Sequence, residues 1–145
     1  LADLVVGAPG VNNATGAAYI WSGDQLQAGT SEPPLITLSG SGESGRFGWT
    51  THIADINGDG TQDLLVGAPY ENPTGQNQAF NAGRVSVFFG GAPLSDWPTS
   101  QTATDAPLQF VEAEQYLRTG SAIFSGNFDG DEAQDIIFIH RAESN

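Results

Sequence analysis

The chain contains no cysteine, no methionine and no lysine; its four basic residues are all arginines. Without cysteine there is no thiolate metal centre, no thiol catalysis and no disulfide. The redox compartment stays open, because secreted proteins need not carry disulfides. Four cations stand against 17 acidic residues, giving a formal net charge of −13. So few cations cannot build the basic patch that nucleic acid requires, and an anionic membrane surface would repel the chain. No apolar run approaches the roughly 20 residues of a membrane-spanning helix. Neither nucleic-acid binding nor membrane insertion is therefore expected. The acidity suits divalent cations, or solubility in salty surroundings.

Apolar residues make up 39% of the chain, which is enough for a folded core and too much for a disordered acidic tail. Nineteen glycines and eight prolines favour short elements joined by tight turns.

The sequence repeats. Leu1-Ala2-Asp3-Leu4-Val5-Val6-Gly7-Ala8-Pro9 matches Thr61-Gln62-Asp63-Leu64-Leu65-Val66-Gly67-Ala68-Pro69, and Ala133-Gln134-Asp135-Ile136-Ile137-Phe138-Ile139 is a weaker third copy without Gly-Ala-Pro. Gly16-Ala17-Ala18-Tyr19-Ile20-Trp21 resembles Gly83-Arg84-Val85-Ser86-Val87-Phe88, and Pro34-Leu35-Ile36-Thr37-Leu38 resembles Pro107-Leu108-Gln109-Phe110-Val111. Arg46-Phe47-Gly48 has a partial echo in Arg118-Thr119-Gly120. Each unit thus holds four short pieces, A (near 49–55), B (63–68), C (84–89) and D (107–111). Their length and their β-branched and aromatic content predict strands, and no helix is needed.

Four strands per repeat is the pattern of a propeller blade. The expected fold is all-β: a fragment of a β-propeller, one complete four-stranded blade plus parts of two neighbouring blades. Residues 1–40 supply strands B-C-D, 41–113 a complete blade, and 114–145 strands A-B. Such a piece leaves bare strand edges. The remaining blades are expected from the same longer chain or from another chain.

Between strands A and B lies Asp55-Ile56-Asn57-Gly58-Asp59-Gly60-Thr61-Gln62-Asp63. Oxygen-bearing side chains stand at its first, third, fifth and ninth positions. Gly58 and Gly60 permit the positive φ angles of a tight curl, and the Thr61 carbonyl can face the same centre. Three carboxylates so placed repel one another without a cation. Hard oxygen donors in this number are calcium chemistry. The third unit repeats the spacing in Asn127-Phe128-Asp129-Gly130-Asp131-Glu132-Ala133-Gln134-Asp135. There Glu132 stands where the first loop has Gly60, which predicts strain or a different path. An EF-hand is excluded, because its twelfth-position acid is replaced by Val66 and Phe138 inside apolar runs. A polar hairpin turn would explain the Asp, Asn and Gly residues, but not an acid at the mouth of an apolar strand twice over.

Phe47-Gly48, the 55–63 loop and Gly67-Ala68-Pro69 together resemble an FG-GAP repeat, the blade unit of integrin α-subunit propellers. It is also found in phospholipase D-like secreted enzymes and in bacterial and algal surface proteins. The resemblance implies a seven-bladed propeller with strand A innermost. It implies Ca2+ in the A–B loops, on the face opposite the usual ligand-binding face. Motif match assigns Asp55, Asn57, Asp59, Thr61 and Asp63 as ligands, and Asn127, Asp129, Asp131, Ala133 and Asp135 in the second loop. Animal integrin α propellers carry disulfides, so the missing cysteines point to a microbial or algal relative.

Phe47, Trp49, Val85, Val87, Phe88 and Phe89 are expected to pack between blades. His52 and His140, with no ligand partner at metal spacing, are read as structural or exposed. The loops 70–82 and 91–105 carry Tyr70, Phe80 and Trp97, which could anchor a protein or sugar partner or fold back onto blade edges. Asn13-Ala14-Thr15 is an N-glycosylation sequon, whereas Asn72-Pro73-Thr74 is blocked by proline. Glu43, Glu71, Glu112 and Glu114 are scattered, and no nucleophile–histidine–acid set is apparent. The expected function is a non-enzymatic, extracellular, cell-surface or periplasmic adhesion or protein-assembly module that meets a protein or glycan partner through its blade loops. The alternative is an accessory propeller domain of a larger secreted hydrolase, phospholipase D-like or polysaccharide-processing.

Overall fold

The structure is a computed structural model describing residues 1–29, 32–72, 80–112 and 114–140. Among the described residues, ten strands form three sheets. The first contains β1 (Leu4–Ala8), β2 (Ala17–Trp21), β3 (Ile36–Ser39) and β7 (Ser100–Thr102), in that order. The second contains β4 (Thr50–Ala54), β5 (Asp63–Ala68), β6 (Arg84–Phe88) and β8 (Leu108–Val111), and the third pairs β9 (Ala122–Gly126) with β10 (Asp135–Ile139). The four strands of the middle sheet are the A, B, C and D pieces read from the sequence, all antiparallel. This is a fragment of a β-propeller, with one complete blade and parts of its two neighbours.

The sheets stack face to face, and the period-2 alternation of β5 serves both interfaces. Leu64, Val66 and Ala68 join Ile20, Ile36, Leu38, Phe47 and Phe88 in the core against the first sheet. Leu65 on the other face joins Val85, Val87 and Ile123 in the core against the third. Hence every residue of β5 and β6 is buried, as expected of strands covered on both sides.

Blade contact explains the repeated glycines. A Cβ on Gly7 would run into the Gly48 backbone, and one on Gly67 into the Gly120 backbone. The Phe-Gly of one blade therefore sits against the Gly-Ala-Pro of the blade before it. Backbone bridges Gly16–Phe47 and Gly83–Thr119 repeat the arrangement, so Thr119 occupies the Phe47 position of the third unit. The partial echo in Arg118-Thr119-Gly120 is structurally equivalent to Arg46-Phe47-Gly48. Thr119 is buried, and its hydroxyl lies 3.1 Å from His140 Nδ1.

Three expectations are corrected. A helix does form, at Gly23–Ala28, where Ser22 and Gln25 make a reciprocal capping box and Asp24 favours the first turn. Trp49 does not pack between blades: it is 42% exposed and lies edge-on to Tyr70. The 91–105 connection is not simply a loop, because β7 leaves its own blade and pairs in parallel with β3 of the preceding one. Its Trp97 folds back onto the core, 6.4 Å from Phe88. Residues 73–79 of the other long loop lie outside the described residues, as do 141–145. No helix among the described residues is long and apolar enough to cross a membrane.

Candidate metal centre

The 55–63 loop closes the antiparallel β4–β5 hairpin at one end of the middle blade. Gly58 and Gly60 adopt φ angles of +72° and +83°, which L side chains tolerate poorly, so glycine is required where the chain curls. The curl turns backbone N–H groups inward onto the acids. Asp55 Oδ1 accepts from Gly58 N–H at 2.8 Å and Oδ2 from Gly60 N–H at 2.8 Å. Asn57 Oδ1 accepts from Asp59 N–H at 3.0 Å. Asp59 accepts from the Thr61 N–H at 2.8 Å, from the Thr61 hydroxyl, and from Asn57 Nδ2 at 2.9 Å. The Thr61 and Asn57 bonds hold the Asp59 carboxyl below its ordinary value of 3.8, with the Thr61 hydroxyl the largest cause.

Asp63 has the opposite environment and is 0% exposed. Its Oδ2 accepts from Ile56 N–H at 3.0 Å, across the neck of the loop. Its Oδ1 accepts from Gly90 N–H at 2.9 Å, at the end of β6. Asp3 repeats the second bond, accepting from Gly23 N–H at 2.9 Å. The ninth-position acid thus ties the start of a B strand to the end of the C strand beside it, which is why it stands at the mouth of an apolar run.

The 127–135 loop keeps much of this pattern. Asp135 Oδ2 accepts from Phe128 N–H at 2.7 Å, Asn127 Oδ1 from Gly130 N–H at 2.6 Å, Asp129 Oδ1 from Asp131 N–H at 3.1 Å, and Asp131 Oδ1 from Ala133 N–H at 2.8 Å. One bond changes for a chemical reason. The first-position residue is an amide, so its second polar atom, Nδ2, donates to the Asp131 carbonyl rather than accepting from the sixth-position N–H. Glu132 is not among the positive-φ residues, whereas Gly130 is, at +86°. The loop avoids strain at Glu132 by taking a different path. The two loops touch: Gln134 N–H donates to the Asp55 carbonyl at 2.7 Å.

The donors gathered in the first loop are all oxygen, three of them carboxylates, which fits a hard divalent cation. Hydrogen bonds inside each loop already engage these acids, and among the described residues no three carboxylate or imidazole groups lie close enough to hold an ion by themselves. Asn57 presents its amide nitrogen to Asp59 and its amide oxygen to the Asp59 N–H.

Sequence reasoning missed a second polar cluster, at the opposite end of the blade. Glu71, one of the unassigned acids, is 2% exposed. Its Oε1 lies 3.1 Å from Arg84 Nε and accepts from the Ser41 hydroxyl at 2.6 Å. Arg84 also donates to Gln109. The cluster joins the 41–45 lead-in, the segment after Gly-Ala-Pro, and strands β6 and β8. An arginine opening an apolar strand was the available signal. His52 is structural: its Nε2 lies 2.9 Å from Ser125 Oγ, linking strands β4 and β9 of adjacent sheets.

A complete four-stranded blade stacked between parts of two others defines a propeller of the repeat-blade class. Residues 47–88 match the FG-GAP repeat family, and similarity to integrin alpha chains supports integrin-type propeller repeats. Among similar proteins, phosphatidylinositol-glycan-specific phospholipase D of Homo sapiens is 41% identical over 98 residues, covering 65% of this chain and 11% of that protein. Integrin alpha-5 of Xenopus laevis is 33% identical over 136 residues, covering 92% of this chain and 12% of that protein. Integrin alpha-IIb of Homo sapiens is 34% identical over 137 residues, with coverage of 92% and 12%. The chain thus spans about a tenth of the length of these curated relatives.

Proposed function

We propose that this stretch of FG-GAP repeats is a calcium-clipped adhesion or protein-assembly module, working outside the cell, at its surface or in a periplasm. Blade units meeting near residues 40 and 113 present their loops to a protein or glycan partner. The ligands assigned are Asp55, Asn57, Asp59, Asp63 and the Thr61 carbonyl in the first loop. In the second they are Asn127, Asp129, Asp131, Asp135 and the Ala133 carbonyl. Bound calcium would neutralise the crowded acids of each loop. Asp63 and Asp135 then fix each loop neck to the following strand, so loop shape and sheet geometry are coupled. The observation carrying this reading is the recurrence of one oxygen pattern, with matching hydrogen bonds, on two successive inner hairpins. The role assigned to the metal is structural, since each ligand set lies within one short loop.

The test is thermal melting of the intact parent chain in calcium and in EDTA. Calcium at about 100 times its Kd stabilises by about 2.7 kcal/mol, so chelation lowers Tm, and Asp59→Asn shrinks that drop. A Tm indifferent to EDTA refutes the clip. The match to a phospholipase D supports a second reading, an accessory domain of a larger secreted hydrolase. Hydrolytic activity of the parent chain on phospholipid or polysaccharide, lost when another region is deleted, would favour it.

A further inference from the structure

Asn57 is the one asparagine of the sequence followed by glycine, and that pairing carries its own chemistry. Glycine has no side chain to shield its nitrogen. A backbone nitrogen that reaches the side-chain carbonyl of the residue before it closes a succinimide ring. In the closed 55–63 loop both reacting groups are tied elsewhere. The Gly58 N–H donates to Asp55 Oδ1 at 2.8 Å, and stripping its proton beside a carboxylate is opposed electrostatically. The Asn57 carboxamide is drawn forward, away from that nitrogen. Its Oδ1 accepts from Asp59 N–H at 3.0 Å, and its Nδ2 donates to Asp59 Oδ2 at 2.9 Å. Asn57 is exposed and Gly58 half-buried, so water reaches the joint once these bonds part.

We propose that Asn57–Gly58 is a modification site, deamidating to isoaspartate or aspartate when the loop loses its cation and opens. The trigger rests on the calcium reading above; the chemistry needs only this chain and water. Without a cation, Asp55, Asp59 and Asp63 repel one another, and the bonds of an exposed loop open first. The Gly58 nitrogen, giving its proton to solvent, then attacks Asn57 Cγ. The N–Cγ bond forms, the Cγ–Nδ2 bond breaks, and Nδ2 leaves as ammonia with a proton from water. Water opens the ring at either carbonyl. Attack at Cγ gives aspartate, and attack at the main-chain carbonyl gives isoaspartate. The second loop lacks this joint. Asn127 precedes the bulky Phe128, whose N–H is held by Asp135 at 2.7 Å, and Gly130 follows Asp129, whose negative charge resists an attacking nitrogen. The isoaspartate product adds a methylene to the backbone, so the Gly58 N–H no longer falls on Asp55. The carboxamide that held Asp59 is gone in either product. Time spent without calcium thus accumulates as a covalent, irreversible change at the loop.

The experiment incubates the intact parent chain in calcium, in EDTA, and in urea with EDTA. Conversion at Asn57 is read by peptide mass mapping and by isoaspartyl methyltransferase labelling. It should run on the order of tenfold faster in EDTA than in calcium, following the loss of loop protection, and fastest in urea. Asn127 should convert far more slowly in all three. Gly58→Ala separates the chemistry from loop opening. Its methyl strains a φ of +72° but meets Ala133 only at ordinary contact, 3.6 Å. It loosens the loop, yet it should slow conversion in EDTA because it hinders the attacking nitrogen. Equal conversion in calcium and EDTA, faster conversion at Asn127, or acceleration by Gly58→Ala would overturn the proposal. Melting the same samples separates the two readings. A Tm lowered by EDTA with unchanged conversion sinks this inference alone; faster conversion in EDTA at an unchanged Tm sinks the stabilising clip alone.

Discussion

Replacing Gly67 with alanine probes the close approach that sets the spacing between blades. Gly67 is not among the positive-φ residues, so the added methyl strains no backbone angle and acts through contact alone. Its Cβ would lie 3.1 Å from the Gly120 carbonyl carbon and closer still to that carbonyl's oxygen and to Thr50 Oγ1. Neither neighbour is a flexible side-chain end. The Thr50 hydroxyl is itself committed to the Gly120 carbonyl at 2.8 Å. Relief requires the second and third sheets to part, or β5 to shift against β4. Overpacking of this kind costs about 1–3 kcal/mol, and losing the Thr50–Gly120 bond adds about 1 kcal/mol. The expected destabilisation is therefore about 2–4 kcal/mol. Gly10→Ala is the control, because nothing lies within 4 Å of its Cβ; it should change stability by under about 0.5 kcal/mol. The assay is urea denaturation of the parent propeller, read as a midpoint shift at unchanged slope. If Gly67→Ala is as harmless as Gly10→Ala, the blades do not meet through these glycines.

Asp63→Asn removes one of two acceptors serving Ile56 N–H and Gly90 N–H; measured in EDTA, it should cost about 1–3 kcal/mol in urea denaturation. Glu71→Gln leaves the Arg84 charge buried without its counter-ion and should cost about 3 kcal/mol, whereas the double replacement of Glu71 and Arg84 by methionine should recover most of it in a double-mutant cycle. Asp105 accepts from the Thr102 N–H at 2.7 Å and the Thr102 hydroxyl at 2.8 Å, and these bonds, the N–H first, hold its carboxyl below the ordinary 3.8. A lowered folded value means that its contribution is present above the unfolded value and lost as pH falls through the lowered one. The turn after β7 should thus stay capped down to pH 3.8, and an NMR titration midpoint for Asp105 at or above that value would contradict the bonding described.

The strands of the complete blade were legible because each is bounded by Gly or Pro and is too short and too β-branched to be anything else. The loops were legible because their acids recur at fixed spacing. What stayed hidden depends on a neighbouring blade or a distant segment. Nothing in Ser100-Gln101-Thr102 says that it pairs in parallel with β3, since the partner lies more than 60 residues upstream. Glu71 reads as a stray surface acid until Arg84 and Ser41 are brought to it. Trp49 follows Phe47-Gly48 and looks like core, yet its ring stands outside and stacks with Tyr70 and Arg46. The Gly23–Ala28 helix was readable from Ser22 and Gln25 at capping-box spacing, but six residues are too few for a helical apolar period to show.

The two ends of the blade stack are held by different chemistry, and this fixes the order in which they should yield. At the Gly-Ala-Pro end, the sheets meet through backbone contact, with the Glu71–Arg84 pair buried beside it. At the loop end, among the described residues, a backbone bond joins Gln134 to Asp55, with Gly58 close to Ala133, between hairpins whose acids repel one another. If the loops hold calcium as proposed, removing it weakens only the second. Under EDTA, the amides of Gly58, Gly60 and Thr61, which donate to Asp55 and Asp59, should lose hydrogen-exchange protection by at least an order of magnitude, while the amides of β5 keep theirs. Sub-global opening of this kind is expected where backbone bonds are exposed and apolar contacts are few. If the β5 amides exchange in step with the loop, the hairpin turn and the buried sheet form one cooperative unit, and the separation of roles argued from the geometry is wrong.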